Sequence, residues 1–169
     1  MELAKKYNRR LGGKILSQSE MIKIFGNPNQ QGSYLTTITP PYTMFYDGNP
    51  IKTMSCHKLI ANDFIGVFND LLAHYGYEKL KALDITDYGG CFNYRLMRGS
   101  TSKLSMHSWG TAIDLDANRN TLKETSATAR FAKPEYKPMI DIFYKWGFVS
   151  LGVEKGYDWM HFQHGGIII

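Results

Sequence analysis

The chain has 169 residues, of which 43% are apolar and 21% charged, the proportions of an ordinary globular domain able to bury about 70% of its unfolded surface. No apolar run approaches the roughly 20 residues that a membrane helix needs, and the two cysteines, Cys56 and Cys91, are too few for a disulfide scaffold and too far apart for a Cys-x-x-Cys zinc site. The net charge of +5 is spread along the chain and favours an acidic partner such as nucleic acid, anionic lipid or a cell-wall polymer, without choosing among them.

In chain order, Met1 to Arg10 is basic but has no apolar stretch behind it, so it does not read as a secretory signal. The expectation is a protein kept in the cytosol, its two thiols reduced and partly buried. Ser17-Gln18-Ser19-Glu20 fits a capping box and predicts a helix from Gln18 to Phe25, stopped by Gly26-Asn27-Pro28. The β-branched and aromatic run Tyr34–Thr39 predicts a strand closed by Pro40-Pro41. Thr43–Tyr46 and Ile51–Met54 predict a surface hairpin about the turn Asp47-Gly48-Asn49-Pro50. Phe64, Ile65, Phe68, Leu71, Leu72 and Tyr75 recur at helical spacing and mark the core face of a helix that ends at Gly76. A strand is expected at Lys81–Thr86, with Leu83 and Ile85 on one side, and a flexible connection at Gly89-Gly90-Cys91.

Ala117–Lys133 is polar and without period, which predicts a long loop lying beside any site that its neighbours form. A helix starts between Pro134 and Pro138, buries Met139, Ile140, Phe143 and Trp146, and ends at Gly147. Phe148–Leu151 reads as a strand, Gly152–Tyr157 as a turn and Trp159–Gln163 as the last strand. There is no repeat and no linker. We therefore expect one domain over residues 1–169, with residues 1–33 as an N-terminal helix and loop and 34–169 as the core. The predicted class is α+β: a small, mainly antiparallel sheet with helices packed on one side.

Phosphate-binding, nucleophile-elbow, dinucleotide and His-Glu-x-x-His patterns are absent. The chemistry gathers instead in Ser105–Asp116 and Asp158–His161. If Gly110–Asp116 is a strand, Ala112, Asp114 and Asp116 share one face and Ile113 and Leu115 the other. Asp114 is then the carboxylate nearer His107, and Asp116 a surface or supporting group. In the last strand, Trp159, His161 and Gln163 share a face, with Met160 and Phe162 buried on the other. His107, Asp114 and His161 would fill three corners of a tetrahedral zinc, leaving the fourth for water. A second carboxylate must then move the proton. Asp158 fits that role provided the chain turns before the strand, for which Gly156-Tyr157 offers the place. An arginine facing the developing oxyanion would complete the set. His57, His74 and His164 read as surface or hydrogen-bonded groups.

Ser-Met-His-Ser-Trp-Gly-Thr-Ala-Ile-Asp, residues 105–114, resembles the Ser-x-His-x-x-Gly-x-Ala-x-Asp signature of the zinc D-Ala-D-Ala carboxypeptidases and L-alanyl-D-glutamate peptidases, the VanY-type metallopeptidases. Asp158-Trp159-Met160-His161-Phe162-Gln163 is similar to the family's Asp/Glu-x-x-His motif. The resemblance implies zinc held by His107, Asp114 and His161, a catalytic base at Asp158, and an arginine that polarises the scissile carbonyl, matched by Arg95 with Arg98 as the alternative. It leaves Ser105 as a possible contact to the substrate backbone. Aspartate as the base is closer to the single-domain phage endolysin branch than to the vancomycin-resistance dipeptidases. Leu151-Gly152 departs from the Trp-Gly-Gly of many relatives, which weakens transfer of substrate specificity, and Glu154 stands as a reserve base.

The resemblance implies a one-zinc peptidase that cuts a peptidoglycan stem peptide at L-Ala–D-Glu or D-Ala–D-Ala, and we expect it to be a monomer. It would be made in the host cytoplasm and act on the wall after release, with no nucleic-acid partner and no integral membrane segment. A non-catalytic zinc module of the same fold is the second reading, and a basic nucleic-acid-binding protein the third.

Overall fold

A computed structural model describes residues 13–166; the basic segment Met1–Arg10 and the tail Ile167–Ile169 lie outside the described residues. Ser17 caps α1 (Gln18–Phe25): its side chain accepts from the Glu20 amide while the Glu20 carboxylate accepts from the Ser17 amide, so the capping box is complete. Gly26 then ends the helix. β1 (Leu35–Ile38) is followed by a tight hairpin of β2 (Met44–Tyr46) and β3 (Asn49–Ile51), and then by β4 (Met54–His57), which returns to pair antiparallel with β1. A 3₁₀ turn at Lys58–Ile60 leads into α2 (Ala61–Tyr75), and Gly76 separates α2 from α3 (Tyr77–Ala82).

The second half builds the main sheet. It consists of β5 (Tyr88–Gly90), β6 (Ala112–Leu115), β7 (Phe148–Ser150) and β8 (His161–His164) in the antiparallel order β5-β6-β8-β7. Between them lie the 3₁₀ helices Met106–Trp109, Arg130–Ala132 and Pro134–Tyr136, then α4 (Lys137–Lys145) and α5 (Leu151–Lys155). The core forms where α2 and α4 pack on one face of this sheet. Phe162 of β8 stacks on Phe143 of α4 at 4.0 Å between ring centroids, and Phe148 of β7 meets Phe64 of α2 at 4.7 Å. Aromatic burial of this size dominates packing energetics in a small domain. The architecture is α+β, with a small antiparallel sheet and helices on one side. Among the described residues no helix is long and apolar enough to cross a membrane.

Several local expectations are corrected. Lys81–Thr86 is not a strand: Lys81 and Ala82 finish α3, and Leu83 and Ile85 are both buried from successive turns. The i, i+2 pair reflects two inward side chains of a turn, which mimics strand alternation. Gly89-Gly90, expected as a flexible connection, is part of edge strand β5, held by pairing to β6. Ile51 ends β3 while Met54 opens β4, so the expected strand Ile51–Met54 is the junction of two. The hairpin is not wholly superficial, because Met44 is buried and the Phe45 amide donates to the Thr86 carbonyl at 2.8 Å. The expected turn Gly152–Tyr157 is mostly helix α5, whose cap is Ser150, accepting from the Val153 amide at 3.2 Å. The last strand starts at His161 rather than Trp159, and Met160 lines a cavity instead of the core.

Candidate metal centre

Ser105, Ser108, Trp109 and Gly110 each have a structural task in placing the segment that carries His107. Ser105 caps the 3₁₀ helix Met106–Trp109 by accepting from the His107 amide at 3.2 Å. Ser108 stitches that helix to the preceding segment, accepting from the Arg95 amide at 3.1 Å and donating to the Arg95 carbonyl at 3.0 Å. Trp109, buried, donates its indole N–H to the Gly26 carbonyl at 2.7 Å. Gly110 has φ +68°, and a Cβ there would lie 2.6 Å from Leu35 and 3.0 Å from the His57 amide, so no larger residue fits. The chain thereby turns directly into β6, where Asp114 stands opposite His161 of β8 as a cross-strand pair.

His107, Asp114 and His161 meet with their ligand atoms all within 4.8 Å of one another. His107 Nε2 lies 3.2 Å from Asp114 Oδ2, and His161 Nδ1 lies 3.1 Å from Asp114 Oδ1. Both separations are close to the roughly 3.4 Å edge of a tetrahedron with the 2.0–2.2 Å bonds that zinc makes to nitrogen and oxygen. The far side of each ring is also provided for. His107 Nδ1 lies 2.7 Å from the Cys91 carbonyl, and His161 Nε2 lies 2.9 Å from Gln163 Oε1. A neutral ring that donates its outer N–H to such an acceptor turns its lone pair toward the carboxylate. The three groups lie close enough to hold one cation between them, and the N, N, O donor set fits a divalent ion. Burial would raise the Asp114 pKa, but the hydrogen bonds and charges of His107 and His161 outweigh it and hold the carboxyl well below its usual range. His161 is shifted the opposite way: burial lowers its pKa, and Asp114 more than restores it.

Asp158 reaches the same place from a left-handed turn, with φ +58°. Its amide donates to the Leu122 carbonyl at 3.2 Å and its carbonyl accepts from the His161 amide at 3.1 Å, so the chain does turn ahead of β8. Burial, and then the negative charge of Asp114, push its carboxyl pKa above the ordinary value, while His161, His107 and Arg98 pull it down. Asp158 Oδ1 is buried without a hydrogen-bond partner among the described residues.

Two cavities flank the cluster. The smaller, about 270 Å³, is lined by Asp158, His161, Gln163, Leu122, Leu151 and Tyr157 among others. The larger, about 1150 Å³, runs from His107 and Asp114 along β5 to the β1–β4 ribbon. Arg95 and Arg98 line both, so the structure brings both arginines to the mouth without separating them.

Two secondary expectations change. Asp116 is neither a surface group nor a support for the cluster. It lies past the end of β6 at φ +45°, fully buried, paired with Arg119 at 2.7 Å and Arg130 at 3.3 Å. Glu154, on α5, accepts from the Tyr144 hydroxyl at 2.8 Å and lines neither cavity. The residues that sequence reasoning missed are the two outer acceptors. Gln163 carried a signal, since it shares the strand face of His161 two residues away. The Cys91 carbonyl is main chain and carried none.

Residues 98–164, less than half of the chain but including His107, Asp114, Asp158 and His161, match the family model described as D-alanyl-D-alanine carboxypeptidase. Neither the curated proteins nor the solved structures return a match. The match spans both motifs and the cluster they build, so this part of the chain is similar to the D-alanyl-D-alanine carboxypeptidase family.

Proposed function

We propose that the protein is a zinc-dependent peptidase that hydrolyses a peptide bond in the peptidoglycan stem, L-Ala–D-Glu or D-Ala–D-Ala, as a monomer folded as one domain over residues 1–169. The observation that carries this reading is the half-buried Asp158 carboxyl, with Oδ1 buried, beside the His107–Asp114–His161 cluster in the smaller cavity that the cluster also lines. A histidine-aspartate-histidine set with a nearby carboxylate that is not part of it is the donor pattern of a catalytic rather than a closed structural site.

Zinc, when bound by His107, Asp114 and His161, supplies Lewis acidity and lowers the pKa of water at its open position. Asp158 takes the proton of the attacking water and delivers it to the leaving amine, a transfer that suits a carboxyl whose pKa burial has raised. Arg95 donates to the oxyanion that develops on the scissile carbonyl, with Arg98 the alternative at the same mouth. The Cys91 carbonyl and Gln163 fix the orientation of the two imidazoles. Leu122, Leu151 and Tyr157 wall the smaller cavity and limit water around the leaving group. The biological setting we propose is degradation of the cell wall after release from the host cytoplasm, as by a phage endolysin. The net charge of +5 supports attraction to an anionic envelope.

The test is incubation with purified peptidoglycan, with and without a chelator, and mass spectrometry of the new termini. New amino groups on D-Glu would indicate the endopeptidase and free D-Ala the carboxypeptidase. Zinc binding with no new terminus of either kind would overturn the reading and favour a non-catalytic zinc module.

A further inference from the structure

The segment that continues β5 toward the cluster is hydrogen-bonded along one edge only. On its inner side the Cys91 carbonyl accepts from His107 Nδ1 at 2.7 Å and the Asn93 amide donates to the His107 carbonyl at 3.0 Å. The Arg95 amide donates to Ser108 Oγ at 3.1 Å and the Arg95 carbonyl accepts from the Ser105 amide at 2.9 Å. Along an extended chain the main-chain groups of successive residues point to opposite edges. With 91, 93 and 95 directed inward, Phe92 and Tyr94 are directed outward. Among the described residues, neither has a partner for its main-chain N–H or C=O.

That outer edge meets the larger cavity at Phe92, which lines it together with the side chains of Asn93 and Arg95; Tyr94 stands beyond its lining. The facing wall carries the hydroxyls of Thr37, Thr53 and Ser55, and the cavity ends at His107 and Asp114. β5 is itself the terminal strand of its sheet. A Cβ on Gly90 would meet nothing within 4 Å, so the floor of this trough is open.

We infer that the unpaired edge of Phe92 and Tyr94 receives an extended peptide as an added strand and delivers its scissile bond to the cluster. Two outward residues offer two donors and two acceptors, the ladder that fixes a three-residue stretch of peptide by its main chain. The stretch belongs to the acyl side of the bond, which holds at least three stem residues where D-Ala–D-Ala is cut but only one where L-Ala–D-Glu is cut, so the inference selects the D-Ala–D-Ala bond. Asp158, which hands the proton to the leaving amine, lines only the smaller cavity on the other side. This inference rests on the peptidase reading, and the experiment separates the two.

Zinc-loaded protein is given a synthetic pentapeptide of stem composition and analogues N-methylated at one acyl-side amide at a time. In parallel, amide exchange at Phe92 and Tyr94 is followed by NMR in the Asp158→Asn variant saturated with the same pentapeptide. The expected result is at least ~10-fold slower exchange at both amides, and about a tenfold loss in kcat/KM for the analogue whose methyl replaces a ladder hydrogen bond. Cleavage of the pentapeptide with unchanged exchange at Phe92 and Tyr94 and a flat methylation series overturns the docking edge and leaves the peptidase intact. If no peptide is cleaved, the peptidase reading falls, and the exchange measurement still decides the edge: slowed exchange supports it and unchanged exchange at millimolar peptide overturns it.

Discussion

Asp158 combines a left-handed backbone with a half-buried carboxyl whose Oδ1 is buried without a hydrogen-bond partner among the described residues. Asparagine tolerates that backbone as aspartate does, whereas alanine adds strain of its own. Asp158→Asn therefore isolates the charge. We expect the variant to keep one metal per chain by elemental analysis and to lose at least ~100-fold in kcat; unchanged turnover would remove Asp158 from the mechanism. Because the base must be ionised, the rate should fall as pH drops through the Asp158 pKa, which burial raises and a cation held by the cluster lowers. Gly89 makes a second test. A Cβ there would lie 3.0 Å from Asp114 Cβ and 3.1 Å from its carbonyl oxygen, so Gly89→Ala should displace Asp114. Weaker zinc binding in a competition titration, with a fold intact by circular dichroism, is the expected outcome. At this scale the sequence was most informative where chemistry forces residue type. His107, Asp114 and His161 stood out because imidazole and carboxylate recur in order with the Gly110 turn between them. Asp116 was misjudged because a carboxylate alternating along a strand looks the same whether or not the strand continues to it.

Among the elements, the best-read are those whose ends are marked by side-chain chemistry. The capping box at Ser17 and Glu20 and the stop at Gly26 define α1, and the phenylalanine face with Gly76 defines α2. The short pieces were harder. α3 has six residues and α5 five, too few for a 3.6-residue period to show, and β5 is a strand of two glycines and a tyrosine whose structure comes entirely from pairing with β6. The loop after β6 was read correctly as long, but its anchor was not visible. Asp116 holds it: Arg119 and Arg130 pair with the carboxylate, the Asn120 side-chain amide donates to the Asp116 carbonyl at 2.9 Å, and the Phe131 amide donates to Asn120 Oδ1 at 2.7 Å. Arg130 also pairs with Asp84, tying the loop to the turn after α3. Asp116→Asn weakens the anchor between Arg119, which is half exposed, and Arg130, which keeps Asp84, and should cost about 1 kcal/mol in urea unfolding. Cleavage per folded molecule should change far less, because Asp116 touches no member of the cluster. A variant as stable as the parent would show that the pairs contribute little.

The molecule as a whole should be sensitive to alkali. Burial raises the pKa of Tyr42, Tyr88 and Tyr144 far above the normal value and pushes Tyr136 up to about 12. In the unfolded chain these groups ionise near 10. Below that pH both states hold the proton and stability does not change; above it the folded state alone keeps the proton, so stability falls as pH rises from about 10 through 12. A spectrophotometric titration should show these tyrosines ionising together with unfolding. The cluster has a consequence on the same scale. Asp114 and His161 are 47 positions apart in sequence and sit on the two central strands of the main sheet. An ion shared between them is a reversible cross-link that closes the whole intervening stretch, including the loop, α4 and β7, into a ring. Folding free energy should then track free zinc, rising by about 1.4 kcal/mol for each tenfold increase above the dissociation constant. A melting temperature that is indifferent to zinc would mean that the clasp does not form. If it does form, the ion proposed to activate the site also limits how far the second half of the chain can open.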